Sequence, residues 1–314
     1  MPGPDRIDVH FHTVPPAFRT AVETAATLKV PVRVPPWSPE LSLALMDRQG
    51  IQTVIGSVSV PGVHFGDDKE ARALARRCND YSAELIARRP DRFGAFAALP
   101  LPDVEGAIEE AAYALDVLKL DGIGLMTNYG DVWPGNPAFA PVFDELNRRK
   151  AILYFHPTAP TCCTHLLPNV TTALIEFPTD STRCITDLLF SGTLSRCPDI
   201  RFIFSHGGGT LPMLAVRIAG GLLRPHMKEI AARIPKGAMY EFKKLYYDVA
   251  SVTNPISMGA LLALAPLTQI FFGSDYPFID IDTFSKQLQT LGLSPGQLAA
   301  IERENAAKLF PRYA

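Results

Sequence analysis

Apolar residues in this chain gather in short, nearly unbroken runs, separated by longer stretches with helical periodicity. The runs are RIDVHFH at 6–12, IQTVIGSVSV from Ile51, FGAFAALP from Phe93 and DGIGLMTN from Asp121. Four more follow: AILYFHP from Ala151, IRFIFSHGGG from Ile200, YYDVAS from Tyr246 and TQIFFGSDYP from Thr268. Strands covered by helices on both faces need such runs, because neither face meets water. Between them, residues 69–88 and 104–119 carry an apolar stripe opposite charged positions, as amphipathic helices do. Residues 137–150 end in basic side chains, which suit a helix C-terminus. Residues 180–196 open on a TDST cluster that predicts an N-cap.

Eight strands alternating with helices predict an α/β protein, a (β/α)8 barrel forming one domain over 1–314. A doubly wound open sheet is the alternative, but no GxGxxG follows the first run. Residues 13–40 are too long for a simple turn and are read as an insertion after strand 1 that caps one end of the barrel. Residues 221–245 are read as a second, helical excursion at a subunit contact.

Composition narrows the classes of function. The 314 residues are 47% hydrophobic and 20% charged, which suits a large buried core. With 30 basic and 32 acidic residues the net charge is −2. No basic stripe marks a nucleic-acid or anionic-membrane partner. No apolar run approaches the ~20 residues that span a bilayer. The opening MPGPDRIDVH lacks the regions of a signal peptide, so a cytoplasmic protein is expected. Five scattered cysteines, without a CxxC, read as reduced thiols.

The chemistry collects at strand ends. In a strand, His10 and His12 leave on the same face, with Asp8 one step further back. His156 closes the fifth run, His206 the sixth and Asp275 the eighth, and four of the seven histidines belong to this set. A barrel places its active site at these C-terminal strand ends. Neutral imidazoles with a carboxylate are the ligand set of a catalytic divalent metal with an open position. A histidine beside the metal but not ligating it is a natural general acid or base. Taken singly, each feature has a bland reading: HFH as a satisfied core pair, Asp275 as a cap, His156 as structural. His64, His165 and His226 default to loop or surface roles. Cys162 and Cys163 share the loop after His156, with no basic partner in view to make a catalytic thiol. Phe11, Trp37, Trp133, Phe177 and Phe278 are candidate aromatic walls.

The stretches IDVHFH, MDRQGI, YFHP, FPTDSTRCITDLLFSGTLSRCPDIRFIFSHGGGTLPML, AVRIAGG, GSDYPF and ENAAKLF, in that order, resemble the amidohydrolase-2 branch of the amidohydrolase superfamily. That branch holds aminocarboxymuconate-semialdehyde decarboxylase and the salicylate, resorcylate and carboxyvanillate decarboxylases. The resemblance implies that His10, His12, His156 and Asp275 bind one divalent metal, usually zinc and in some members manganese. It implies His206 as the proton-handling residue and a homodimer as the assembly. Ser42 and Ala44 stand where the aminocarboxymuconate enzyme carries arginines, which argues for a less acidic ligand. Arg217 and Arg48 remain as candidate anion contacts, with Phe278 and Trp37 as candidate ring contacts. The implied reaction is non-oxidative decarboxylation of a salicylate-like acid of the 6-methylsalicylate type, with Asp275 or His206 delivering the proton. A metal-dependent hydrolase or hydratase on the same scaffold is the alternative, and a barrel that only binds its ligand is the third.

Overall fold

All eight apolar runs form strands: β1 (Arg6–His12), β2 (Ile51–Ser57), β3 (Phe93–Ala98), β4 (Gly122–Met126), β5 (Ile152–His156), β6 (Arg201–Phe204), β7 (Tyr246–Asp248) and β8 (Ile270–Phe271). The computed structural model describes residues 5–25, 34–279 and 281–314. The strands follow one another around the sheet in chain order, and every hydrogen-bonded neighbour is parallel. Phe11 bridges Tyr276, and the Asp275 N–H donates to the His10 carbonyl at 2.8 Å, which brings the two edges together. This is the expected (β/α)8 barrel. The sequential order leaves no switch point, so the doubly wound alternative is excluded.

The two ends of the barrel differ in chemistry. At the N-terminal end Ile7, Ile55 and Ile203 pack with Phe310 and Tyr313 of the chain terminus, closing the floor with apolar surface. Above them Phe96 stacks on Tyr154 with ring centroids 5.0 Å apart. The next ring up is polar, since His10 meets the edge of Tyr154 at 5.5 Å. A register shift in β1 between Asp8 and Phe11 breaks the simple alternation along that strand.

The helical stretches differ in detail from their sequence boundaries. Residues 69–88 form the helix Asp68–Arg88, capped by the Asp67 carboxylate on the Glu70 N–H. Residues 104–119 form Val104–Ala112, continued by the π-turn Tyr113–Val117. Residues 137–150 form a 3-10 turn, Pro137–Phe139, and the helix Ala140–Arg148. The helix expected to open at TDST starts earlier, at Thr172, and runs to Phe190 with Pro178 inside it. Thr171 caps it, and the TDST cluster has another task. Asp180 is buried and accepts from Thr127, Asn128 and the Trp133 indole. A polar cluster that reads as a cap in one dimension is therefore a tie between this helix and the end of β4.

Within 13–40, the helix Pro16–Thr24 rests Phe18 and Val22 on Val58, Val63 and Ala98, near the C-terminal ends of β2 and β3. Residues 26–33 of that segment lie outside the described residues. The 221–245 region holds the short helices Lys228–Ala231 and Ala238–Lys244. No described helix is long and apolar enough to cross a membrane.

Candidate metal centre

His10, His12, His156 and Asp275 meet at the C-terminal mouth of the barrel, all buried, with one donor atom from each within 4.8 Å of the others. Asp275 Oδ1 lies 3.2 Å from His10 Nε2, 3.1 Å from His12 Nε2 and 4.0 Å from His156 Nε2. Three ring nitrogens thus converge on one carboxylate oxygen. His206 Nε2 faces the other oxygen, Asp275 Oδ2, at 3.7 Å. The His10 and His206 ring centroids are 4.8 Å apart.

The protonation of these groups fits a cation site. Burial holds His12 and His206 below the usual histidine range. Burial and the neighbouring imidazoles push His156 well below it. Those rings are neutral, which is the form that ligates metal or accepts a proton. Burial also works against charge on His10, but Asp248 and Asp275 outweigh it and push that ring up to about 10. Burial pushes the Asp275 carboxyl up, yet the charge and hydrogen bonds of His10 and the bond from His12 hold it well below the carboxylate range. The field at the mouth is therefore negative and favours a cation. The donor set fits a divalent metal: three imidazoles and one ionised carboxylate, held by the protein in a single small volume.

His10, His12 and His206 are held from behind, whereas the buried Nδ1 of His156 has no hydrogen-bond partner among the described residues. Asp248, the last residue of β7, places Oδ2 3.0 Å from His10 Nδ1 and accepts the His206 and Ala250 N–H groups on Oδ1, each at 3.0 Å. A carboxylate at Nδ1 keeps a proton there, so the proton on Nε2 is the one that a bound cation would displace. The Ser57 hydroxyl meets His12 Nδ1 at 3.3 Å. His206 Nδ1 lies 3.1 Å from the Ala250 carbonyl, which only accepts, so the proton sits on Nδ1 and Nε2 is open. Asp8 does not touch an imidazole. Its Oδ1 accepts the His10 N–H at 3.0 Å and the Ser274 N–H at 3.1 Å, so it ties the β1 backbone to the segment after β8. Desolvation pushes the Asp8 carboxyl up to about 7.

The backbone is strained where it presents the chemistry. His206 has φ 53° and Asp275 φ 60°, both left-handed. For residues other than glycine this costs on the order of 1–3 kcal/mol each, offset by the hydrogen bonds above. Two glycines allow the elements to close. A Cβ on Gly209 would stand 1.9 Å from the Pro178 carbonyl oxygen, and one on Gly273 would stand 2.7 Å from His10 Cβ and 2.9 Å from Asp248 Cβ. Any side chain at 273 would wedge between His10 and Asp248.

A cavity of about 830 Å³ opens beside the centre over the ends of β2 to β5. Val58, Val63, Leu99, Met126 and Phe177 give it an apolar wall, and Asn128 and Thr158 add polar groups. Phe278 and Phe177 join cavity to centre, with ring centroids 5.4 Å from His12 and 6.3 Å from His156. Among the described residues, no lysine or arginine lines it.

The structure brings together His10, His12, His156, His206 and Asp275, and sets Phe278 on the cavity wall. Arg48 is exposed on the helix Pro39–Gln49, 3.9 Å from Asp282, and Arg217 is exposed on the helix Leu211–Gly221. Trp37 packs edge-on to Tyr81 at 6.3 Å, and neither it nor the two arginines borders the cavity. Phe11 stacks on Tyr276 outside the cavity lining, and Trp133 is bonded to Asp180. His64 lines the cavity with Nε2 2.8 Å from Asp68, whereas His165 and His226 are exposed. Sequence reasoning missed Asp248, Ser57 and Ser274. The signal for Asp248 was present, an acid at the end of the seventh apolar run.

Comparison with known proteins agrees with this architecture. A family model described as amidohydrolase matches residues 7–312. Decarboxylase yanB of Aspergillus niger is 39% identical, the match covering 98% of this chain and 88% of that protein. The 6-methylsalicylic acid decarboxylase of Penicillium expansum is 33% identical over 98% of this chain and 96% of its own. Among solved structures, a 2,6-dihydroxybenzoate decarboxylase complexed with 2,6-dihydroxybenzoate superimposes with a TM-score of 0.81 at 25% identity, covering 99% of this chain and all of that one. With the family model spanning the barrel from β1 to the C-terminal turn, this chain belongs to the amidohydrolase family.

Proposed function

We propose that this protein is a metal-dependent, non-oxidative decarboxylase of a salicylate-like aromatic acid, of the 6-methylsalicylate type. The observation that carries the reading is the pairing of a buried three-histidine, one-carboxylate cluster with an apolar cavity that, among the described residues, no lysine or arginine lines. An aromatic acid entering that cavity would find the cationic contact for its carboxylate in the ion that the centre holds, because the protein groups there favour a cation. Relatives named as decarboxylases, two of them for 6-methylsalicylic acid, support the same substrate class.

His10, His12, His156 and Asp275 would hold the ion, for which we propose zinc, since imidazole-rich sets with one carboxylate suit it. Bound there, it supplies the positive charge that orients a carboxylate and its ortho-hydroxyl. The remaining work falls to the chain. Phe177 and Phe278 confine the ring beside the cluster, which aligns the C–CO2 bond before reaction. His206 Nε2, open and facing Asp275 Oδ2, takes up a proton and returns it to the ring carbon that bears the carboxylate. The ring carbon gains that proton and loses CO2, so the acid becomes the corresponding phenol.

The assembly we propose is a homodimer. The helix Leu211–Gly221 exposes Met213 and Val216, at 72% and 76%, and the neighbouring Ile256 is 81% exposed. That apolar surface is what a second copy would cover. Five free cysteines and the absence of a disulfide among the described residues fit a reducing compartment such as the cytoplasm.

One preparation tests the set. Substituted salicylates are offered, and CO2 and the phenol are quantified alongside bound metal and sedimentation mass. The expected result is stoichiometric CO2 from 6-methylsalicylate, one zinc per chain and a dimer. Acid released from lactones or amides, with no CO2 from any hydroxybenzoate, would overturn the decarboxylase reading.

A further inference from the structure

Outside the metal centre, one cluster of nucleophilic side chains stands apart. Cys162 and Cys163 are adjacent in the chain, and their sulfurs lie 2.8 Å apart. They belong to the 3-10 turn Thr161–Cys163, with Cys162 exposed and Cys163 partly so. The other three cysteines, Cys78, Cys184 and Cys197, are buried in the core. The turn is part of the cavity's construction. Thr161 and Thr164, on either side of the pair, line the cavity, although the two sulfurs do not. The Thr161 N–H is pinned to Asp131 Oδ1 at 2.5 Å, and the Thr164 hydroxyl donates to the Thr161 carbonyl at 3.3 Å. Arg183 Nη2 stands 3.9 Å from Cys163 Sγ and faces the pair with positive charge.

We propose that Cys162 and Cys163 form a reversible dithiol–disulfide site at the rim of the cavity, oxidised by small-molecule disulfides, and that its oxidation weakens substrate binding. The two thiols differ in role. Hydrogen bonding to Cys162, with some burial, pushes the Cys163 thiol up to about 11, so Cys163 keeps its proton while exposed Cys162 attacks. The Cys162 thiolate displaces one thiol from the incoming disulfide and forms a mixed disulfide. Cys163 then attacks the Cys162 sulfur, releases the second thiol and closes the ring. Two protein thiols are oxidised, one external disulfide is reduced to two thiols, and the Cys163 proton leaves on the second thiol.

Ring closure has a geometric consequence. Neighbouring Cα atoms sit about 3.8 Å apart across a trans peptide, below the roughly 4.4–6.8 Å usual for a disulfide. The peptide link fixes that spacing, so closing the eight-membered ring twists the 162–163 peptide and the backbone beside it, and the bond is strained and readily reduced. Movement of that backbone shifts Thr161 and Thr164, which are cavity wall.

The experiment uses the full metal-loaded enzyme and oxidised glutathione. The expected product has lost the mass of two hydrogens, mapped by peptide analysis to the 162–163 pair, and dithiothreitol reverses it. KM for the aromatic acid rises on the order of fivefold while kcat holds. Cys163→Ser stops at the glutathione adduct, Cys162→Ser forms neither product, and both keep the KM of the reduced enzyme. Phenylarsine oxide, which bridges two thiols without an S–S bond, is retained by the native chain and by neither variant. The KM arm rests on the decarboxylase reading, and an enzyme inactive before oxidation would discredit that reading alone; the mass and arsenical arms stand without it. Failure both to lose two hydrogens and to retain the arsenical overturns the dithiol site. Closure of the disulfide with KM unchanged overturns its coupling to the cavity.

Discussion

His12→Ala should abolish decarboxylation, lowering kcat/KM by about 10³-fold or more, the equivalent of ~4 kcal/mol of transition-state stabilisation. His12 is fully buried, with Nε2 3.1 Å from Asp275 Oδ1 and Nδ1 backed by Ser57. Truncation removes one donor of four and leaves the Asp275 carboxylate with one fewer hydrogen-bond partner. The fold should survive, because His12 is the last residue of β1 and the apolar floor lies at the other end of the barrel. The check is elemental analysis of the purified variant beside its rate, with circular dichroism as the folding control. Metal content should fall well below one per chain. A folded His12→Ala protein with full metal and wild-type turnover would sink the assignment of the centre.

The second large effect is expected at Asp248, which no motif singled out. Asp248→Asn preserves shape and the acceptor that holds the His206 and Ala250 N–H groups, but it presents an amide donor to His10 Nδ1 in place of Oδ2. His10 must then accept at Nδ1 and carry its proton on Nε2, the atom that faces the ligand cluster. Outer partners of this kind are worth about 10–100-fold in metal affinity. The variant should show that loss in a metal titration, with much of its activity recovered at excess metal. Asp248→Ala should be worse. It strips the acceptor from two buried N–H groups, at roughly 1–3 kcal/mol of stability apiece, and so lowers Tm as well. Unaltered metal affinity in Asp248→Asn would mean that the His10 tautomer is set by something else.

Both predictions rest on residues that share a ring of space only because the barrel closes. The strands were legible one by one, since a strand buried on both faces must be apolar throughout. The histidines at their ends were legible for the complementary reason: an ionisable group at the boundary of such a run has little structural use. Legibility failed where meaning depended on a distant partner. TDST reads as a cap, yet Asp180 lies inside the helix Thr172–Phe190 and anchors Thr127, Asn128 and Trp133. Asp8 reads only as a further polar residue on the face of His10 and His12, its role left open, and the fold turns its carboxylate to the His10 and Ser274 backbone.

The sequence alone determined the class of architecture, the strand ends that carry donors and the identity of those donors, because burial pattern and side-chain chemistry are local properties. Tertiary structure alone decided that Asp248 sets His10 from β7, that His206 keeps Nε2 open toward Asp275, and that the cavity beside them is walled by aliphatic and aromatic side chains. Those are distances between residues far apart in the chain, fixed when eight strands close into one barrel.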